Sequence, residues 1–236
     1  MLELVDVNTY RGVAHILHGV SLRVGTGEVV CLVGRNGAGK TTTIESIMGL
    51  LPIRSGKILF QDRDISRLAT HKRAKLGIGY APEDCGIFPD LTVEENLRIS
   101  EWLARKDGKQ NSYAEVEAKI FDLFPEIRDF MQRRGLYLSG GQKKMVAIAR
   151  AMALDPSILL LDEAFEGLAP VIVNRFSEAV QKIKEMGISL LIAESNLLNA
   201  TKVADRLYAI DRGEIIFEGN PQDVFNNEEV MKAIRG

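Results

Sequence analysis

The residues with the clearest chemical use lie in one short run, residues 34–41, where two glycines flank four other residues. A lysine and a threonine complete the run, which consists of Gly34, Arg35, Asn36, Gly37, Ala38, Gly39, Lys40 and Thr41. Glycines let successive backbone N–H groups turn toward one point and surround an anion. Lys40 would bring positive charge to the outer phosphates of a nucleotide, and the Thr41 hydroxyl can ligate Mg2+. The run therefore predicts a nucleotide phosphate-binding site rather than a purely structural glycine-rich turn.

The segments on either side of this run are those that such a site requires. Val29–Val33 is a short apolar stretch typical of a buried strand, and residues 42–48 predict a helix. A helix that starts after the glycines would direct the positive end of its dipole at bound phosphates. Thr42, in its first turn, is therefore included among the expected phosphate-binding residues.

A second candidate site follows the apolar strand at residues 158–161, where Asp162 and Glu163 are adjacent. Ligands of α/β sheets bind at the carboxyl ends of parallel strands, so both acids are expected to face the nucleotide. Asp162 is suited to hold Mg2+ through its water shell, and Glu163 is suited to accept a proton from an attacking water. A solvated acidic turn is the alternative, and the phosphate-binding run argues against it.

The third candidate is the sequence Ser139, Gly140, Gly141 and Gln142. Ser139 and Gln142 have the spacing of a capping box, so one interpretation is a well-capped helix with no further role. The two glycines would also leave the helix N-terminus open. Backbone N–H groups and the Ser139 hydroxyl could then bind a γ-phosphate.

Composition and patterning favour a globular α/β protein. The net charge of −2 gives no electrostatic support for nucleic-acid binding. No apolar run reaches the roughly 20 residues that a membrane-spanning helix needs. Alternating apolar and polar residues near the start predict antiparallel strands, whereas residues 84–155 mainly show helical spacing, with a polar loop at 108–112.

The cysteines and histidines suggest no separate chemistry. Two cysteines cannot form a disulfide framework. Cys31 is expected to be buried in its strand, and Cys85 is expected to be exposed in a loop. His15 and His18 are three residues apart, but no further Cys, His or carboxylate near them completes a metal set. We interpret both as ordinary strand or loop residues.

Together the three motifs resemble the ATP-binding subunits of ABC transporters, and the resemblance extends over essentially the whole chain. It implies ATP and Mg2+ as ligands and an α/β fold. The expected architecture is a P-loop NTPase (RecA-like) core with an N-terminal antiparallel β subdomain and an inserted α-helical subdomain. The single domain, residues 1–236, would divide into a core at about 1–83 and 156–236 and a helical part at about 84–155 that carries the Ser139 to Gln142 signature.

The same resemblance implies that two subunits share each nucleotide. In ABC ATPases the phosphate loop of one subunit and the signature helix of the other sandwich ATP, so the expected assembly is a head-to-tail dimer. Tyr10, by its position relative to Gly34, would be the aromatic residue that stacks on adenine.

A narrower resemblance is to the ATPases of branched-chain amino acid importers, and most to the smaller of the two. It rests on Tyr80-Ala81-Pro82-Glu83, on Phe88-Pro89 and on residues 91–97, 124–127 and 167–170. Such importers pair two related ATPases with two membrane permeases and an extracytoplasmic solute-binding protein. The resemblance implies permease subunits and a second ABC ATPase, related or identical, as partners, with no nucleic acid. It also implies a peripheral position on the cytoplasmic face of the cell membrane.

Two positions depart from the general family pattern and bear on hydrolysis. Glu83 stands where most ABC ATPases have a glutamine that contacts Mg2+ and the attacking water, although the importer subfamily commonly has glutamate. Ser195 stands where the general pattern has a histidine that reaches the γ-phosphate, and serine is too short to span that gap without a water. We expect Glu163, Lys40, Glu83 and Ser195 to form the catalytic set, with Glu83 also near Mg2+. Hydrolysis is expected to be slow or to depend on a stronger partner site.

Other functions remain open on the sequence alone. A soluble, non-transport ABC ATPase is disfavoured because the chain has one cassette, no sustained heptads and no basic arm. The ATPase of another transporter, for lipopolysaccharide export or for urea or amide uptake, is not excluded, since these residues bind ATP and never touch the cargo. A third alternative is a degenerate subunit that binds nucleotide in a regulatory role. Glu163 argues against this hypothesis, and Ser195 argues for it.

Overall fold

The structure is a computed structural model that describes residues 1–106 and 113–235. Within these ranges the elements follow the order β1 (Leu2–Arg11), β2 (Ala14–Val24), β3 (Val29–Val33), α1 (Lys40–Met48), β4 (Ile53–Phe60), β5 (Arg63–Asp64), α2 (Thr70–Lys75), β6 (Ile78–Ala81), α3 (Val93–Lys106), α4 (Tyr113–Leu123), α5 (Gly140–Met152), β7 (Ile158–Asp162), α6 (Pro170–Glu185), β8 (Ser189–Glu194), α7 (Leu197–Val203), β9 (Arg206–Asp211), β10 (Glu214–Gly219) and α8 (Glu228–Arg235). Short 3-10 helices cover Pro125–Phe130, Gly135–Tyr137 and Asp223–Asn226. The loop expected at 108–112 lies outside the described residues. Among the helices described, none has both the length and the apolar character needed to cross a bilayer.

The strands form two sheets. The antiparallel sheet has the order β2-β1-β4-β5, and the larger sheet has the order β10-β9-β3-β8-β7-β6. In the larger sheet β6, β7, β8, β3 and β9 are parallel, and β10 pairs antiparallel with β9. The expected α/β fold with an N-terminal antiparallel sheet is confirmed, and residues 93–152 contribute helices α3, α4 and α5.

The central strand β3 is buried on both faces, which explains its unbroken apolar sequence. Val29, Cys31 and Val33 pack into an apolar cluster that includes residues of α3 to α7. Val30 and Leu32 point the other way, into a second cluster formed with β1, β2, β4 and α1. The large sheet therefore lies between two cores, and α1 packs on the face turned toward the antiparallel sheet.

The expectation that Cys85 is exposed is wrong. Its side chain is 8% exposed and packs in the cluster that includes the helices α3 to α7. The loop that carries Cys85 is held against α5, because the Arg150 guanidinium donates a hydrogen bond to the Gly86 carbonyl oxygen. Burial raises the pKa of the Cys85 thiol.

The strand order gathers the chemically useful residues at one edge of the larger sheet. Parallel strands β3, β8 and β7 are neighbours, so their carboxyl ends lie side by side. The phosphate-binding run follows β3, Asp162 and Glu163 stand at the end of β7, and Ser195 follows β8. Strand β6, next to β7, leads within two residues to Glu83.

Candidate active site

The loop between β3 and α1 needs glycine at two points. At Gly39, directly before α1, φ is 117°, a conformation that residues with a Cβ rarely adopt. At Gly34 an added Cβ would lie 2.3 Å from the carbonyl oxygen of Ile210, closer than van der Waals contact allows. Backbone conformation and packing therefore both require the glycines that the sequence motif contains.

The Lys40 ammonium is buried and makes three contacts. Nζ donates to the carbonyl oxygens of Gly34 at 2.8 Å and Arg35 at 3.1 Å. It also lies 3.0 Å from Glu163 Oε1, and the two side chains are only 4% and 5% exposed. A desolvated ion pair of this kind is costly to break by removing one partner. A phosphate that approached Lys40 would compete with Glu163 for the ammonium.

Thr41 and Asp162 form an oxygen-lined position that fits Mg2+. Thr41 Oγ1 donates to Asp162 Oδ1 at 3.2 Å, whereas the buried Asp162 Oδ2 has no hydrogen-bond partner among the described residues. Burial raises the pKa of Asp162 to about 6, and the nearby carboxylates of Glu163 and Glu83 act in the same direction. A cation would stabilise this oxygen, and hydroxyl and carboxylate oxygens are the ligands that Mg2+ prefers.

The Glu163 carboxylate is oriented by the residue that follows β8. Ser195 N–H donates to Glu163 Oε2 at 3.0 Å, and Ser195 Oγ lies 2.5 Å from Glu163 Oε1. The same hydroxyl lies 2.9 Å from Asn36 Oδ1. A serine hydroxyl has one proton and a carboxylate is the stronger acceptor, so we assign this proton to the bond with Glu163. The structure therefore places Ser195 against Glu163 and beside the phosphate-binding loop.

A cavity of about 420 Å³ brings most of the expected residues together. It is lined by residues 36, 37 and 39–42 and by Glu83 and Glu163. Asp162 lines an adjoining cavity that shares Thr41 and Glu83 with the first. Ala38 instead packs in the apolar cluster beside α1. The segments that follow β3, β6 and β7 thus surround one space.

Three further residues line the same cavity and were missed by sequence reasoning: Arg11, Ile16 and Glu166. Arg11 Nε donates to Thr42 Oγ1 at 3.3 Å, and its guanidinium pairs with Glu45 of α1. The available signal was the position of Arg11 directly after Tyr10, at the same hairpin. The expectation of adenine stacking concerned Tyr10 alone.

Tyr10 is not among the residues that line this cavity. It pairs with His15 across the β1–β2 ladder, and the two rings are parallel with centroids 4.2 Å apart. One face of the Tyr10 ring is therefore covered by His15. Adenine stacking on Tyr10 would have to use the opposite face or displace the imidazole.

The signature residues form the expected capping box at the start of α5. Ser139 Oγ accepts from Gln142 N–H at 3.3 Å, and Gln142 Oε1 accepts from Ser139 N–H at 3.0 Å. A Cβ added at Gly140 would meet nothing within 4 Å, so the helix start is open to solvent. None of Ser139, Gly140, Gly141 and Gln142 lines the cavity around Lys40. Within one chain, the run at residues 34–41 and the start of α5 are therefore separate.

Comparison with known sequences gives a consistent result. A sequence model of the family described as ABC transporter matches residues 17–166. The chain is 34% identical over 236 residues to the high-affinity branched-chain amino acid transport ATP-binding protein BraG of Pseudomonas aeruginosa, covering 100% of both chains. It is 38% identical over 221 residues to the lipopolysaccharide export system ATP-binding protein LptB of Haemophilus influenzae, covering 94% of this chain and 91% of LptB.

Solved structures with the same fold include two ATP-binding cassettes. The ADP conformation of MJ1267, an ATP-binding cassette of an ABC transporter, superposes with a TM-score of 0.84 at 30% identity, covering 100% of this chain and 98% of that one. A dimeric post-hydrolysis state of the cassette MJ0796, bound to ADP and Pi, gives a TM-score of 0.81 at 25% identity, covering 94% and 99%.

Proposed function

The chain belongs to the ABC transporter family as an ATP-hydrolysing subunit, and we propose that it powers uptake of branched-chain amino acids or related small solutes. The observation that carries ATP hydrolysis is the meeting of three strand ends at the cavity that Lys40, Glu83 and Glu163 line. The full-length similarity to BraG supports the choice of cargo. The motifs around Glu83 and Phe88 support it as well.

In the proposed reaction, the phosphates of ATP occupy the cavity beside the phosphate-binding loop. The loop N–H groups and Lys40 bind the β- and γ-phosphates, and Glu163 accepts a proton from the water that attacks the γ-phosphorus. Thr41, Asp162 and Glu83 would hold Mg2+, which supplies charge neutralisation at the phosphate oxygens. Ser195 holds the Glu163 carboxylate in place, because its N–H and its hydroxyl each donate to one of the two carboxylate oxygens. Tyr10 is proposed to stack on adenine through the ring face that His15 leaves open.

We propose that each site is completed by a second ABC ATPase, either a related subunit or another copy of this chain. The open N-terminus of α5 lies outside the cavity around Lys40, and a helix N-terminus without an acidic partner in its first turn is suited to a phosphate. The dimeric state of the structural relative MJ0796 supports this arrangement. In the proposed division of the domain, residues of about 84–155 form the helical part that carries the signature, and the remainder forms the core.

The cargo is tested by transport with the intact system. The chain would be co-expressed with candidate permeases, and uptake of labelled leucine, isoleucine and valine would be measured in the presence of ATP. The expected result is ATP-dependent uptake that stops when Glu163 is replaced by glutamine. The similarity to LptB makes lipopolysaccharide export the second candidate. Release of lipopolysaccharide with no amino acid uptake would favour that candidate and overturn the first.

Partner permeases are proposed to dock on the loop after Glu83, which places the subunit at the cytoplasmic face of the membrane. Phe88 is 44% exposed and stacks under the Arg150 guanidinium, whereas Ile87 packs against the helical core. Trp102 of α3 is 59% exposed. An aromatic ring fixed by a cation and left half open is a suitable anchor for an apolar partner.

Replacing Phe88 by aspartate is expected to abolish assembly with the permease and to leave nucleotide binding intact, because a charge cannot enter an apolar contact without a partner. Co-purification of the subunit with the permease measures the first effect, and ATP affinity measures the second. Phe225→Asp is the matched control, since Phe225 is also exposed but lies near the C-terminus. Normal assembly of Phe88→Asp would refute the proposed docking surface.

Ser195→His is expected to raise the ATPase rate of the purified chain at least about tenfold. A positioned donor toward developing charge contributes roughly 10²–10³ in established sites, and an introduced histidine would be placed less well. Ser195→Ala is the control, because it removes the hydroxyl contact to Glu163 without adding a donor. Equal steady-state rates for the native chain and Ser195→His would show that Ser195 does not limit hydrolysis.

A further inference from the structure

The backbone of Glu163 is held in an unusual conformation. Its φ is 49°, in the left-handed region that residues with a Cβ adopt at an energetic cost. Strain of this kind persists only where surrounding contacts maintain it. The contacts that surround the Glu163 peptide groups are therefore the ones that place the general base.

Two kinds of contact hold Glu163. The side chain bonds to Lys40 and Ser195, and a bound γ-phosphate competes for Lys40. The backbone makes the other contacts: Glu163 N–H donates to the Ala193 carbonyl oxygen at 2.9 Å. The Glu163 carbonyl oxygen accepts from Lys144 Nζ and, at 3.2 Å, from Glu166 N–H. None of these backbone contacts involves Lys40, for which a bound phosphate would compete.

Lys144 comes from a different part of the site. It is the fifth residue of α5, whose first residue, Gly140, follows the capping residue Ser139. Its side chain lines a small space together with Asp162 and Ala164. Burial raises the pKa of Glu194, at the end of β8, to about 7, and the Lys144 charge offsets part of this rise. Lys144 therefore connects the signature helix to the end of β7.

We propose that Lys144 is a positioning residue for ATP hydrolysis: it fixes the left-handed backbone of Glu163 and ties it to the helix that begins at the signature. The inference rests on the proposed function, in which Glu163 is the general base. A charged donor makes a stronger hydrogen bond to a carbonyl than a neutral one. The start of α5 would contact the nucleotide bound to the partner subunit. Through the Lys144 bond, a shift of α5 would therefore move the general base Glu163 of the subunit's own site.

The test compares Lys144→Met, Lys144→Arg and Lys143→Met in the full chain. Lys143 is the matched control, since it is the same residue type on the same helix and its side chain makes no hydrogen bond or ion pair to the residues that the structure describes. Lys144→Met is expected to lower kcat about tenfold to 100-fold with KM for ATP and the dissociation constant of ATP unchanged. Lys144→Arg should restore most of the rate, and Lys143→Met should match the native chain.

A second measurement does not depend on turnover. Hydrogen exchange of the Glu166 amide, which shares the Glu163 carbonyl with Lys144, is expected to become faster in Lys144→Met and to stay unchanged in Lys143→Met. A native kcat with native exchange in Lys144→Met would overturn the inference, and so would a parallel loss of ATP binding. If the native chain hydrolyses no ATP either alone or with the second ABC ATPase, the proposed function fails, and the exchange result still decides whether Lys144 fixes the Glu163 backbone.

Discussion

Replacement of Glu163 by glutamine is expected to lower the ATPase rate about 10²–10⁴-fold, which is the usual contribution of a positioned general base. Glutamine keeps the shape of the side chain and can still contact Ser195, but it cannot accept the proton of the attacking water. The change also removes the negative partner of Lys40, which lies 3.0 Å from Glu163 Oε1 in a buried pair. The Lys40 ammonium is then free to bind phosphate without competition, so ATP affinity should be equal or higher.

The experiment measures three quantities in the purified chain: the steady-state ATPase rate, the dissociation constant of ATP and the mass of the particle with ATP. The expected outcome is a slow enzyme that binds ATP and accumulates as a dimer, because the ATP that joins two subunits is not hydrolysed. Glu185→Gln, at the exposed end of α6, is the matched control and should behave as the native chain. A Glu163→Gln chain with a native ATPase rate would remove Glu163 from the role of base.

A monomeric Glu163→Gln chain that binds ATP would have a different meaning. It would indicate that this subunit needs a related partner for the composite site, and a mixture with the second ATPase of the system should then restore the dimer. The two outcomes separate a homodimer from a heterodimer, which the sequence leaves open.

The parts of the site that the sequence predicted are those where one residue type serves one local geometry. Gly39 requires a φ that only glycine readily adopts, and the box of Ser139 and Gln142 is complete within four consecutive residues. The position of Asp162 and Glu163 at the carboxyl end of a parallel strand followed from the apolar run before them. Motif spacing and periodicity carry this information because it is local in the chain.

The parts that the sequence did not predict depend on long-range packing. The stacking of Tyr10 on His15 follows from the register of β1 and β2, which the alternation of residues does not fix. Burial of Cys85 depends on a contact between Arg150 and Gly86, 64 residues apart. Lys144 is adjacent to a second lysine in the sequence, and only the position of Glu163 distinguishes them. Each of these features is set by a neighbour that no local pattern identifies.

Arg73 is a buried residue that sequence reasoning overlooked. It is 2% exposed, and its guanidinium donates to four backbone carbonyl oxygens rather than to a carboxylate. The acceptors belong to Ser46 and Ile47 near the end of α1, and to Ser66 and Leu68 in the segment before α2. Helix C-termini leave carbonyl groups without intrahelical partners, and a buried cation is well suited to satisfy them. Burial lowers the pKa of this guanidinium, but an arginine remains charged in proteins.

Arg73→Met is therefore expected to lower the free energy of unfolding by about 3–5 kcal/mol, since removing one side of a buried charged contact leaves the other groups without partners. Methionine fills much of the same space, so the loss reports the hydrogen bonds more than a cavity. The free energy of unfolding of Arg73→Lys should lie between those of the native chain and Arg73→Met, because an ammonium has three donors and cannot reach four carbonyls. Urea unfolding measures the change. Lys72 is exposed on the same helix, so Lys72→Met should stay within about 0.5 kcal/mol of the native chain.

The C-terminal end of the phosphate-binding helix α1 depends on these bonds, so ATP affinity should also fall in Arg73→Met. A native unfolding midpoint in that variant would show that water satisfies the carbonyls of Ser46 and Ile47 as well as arginine does.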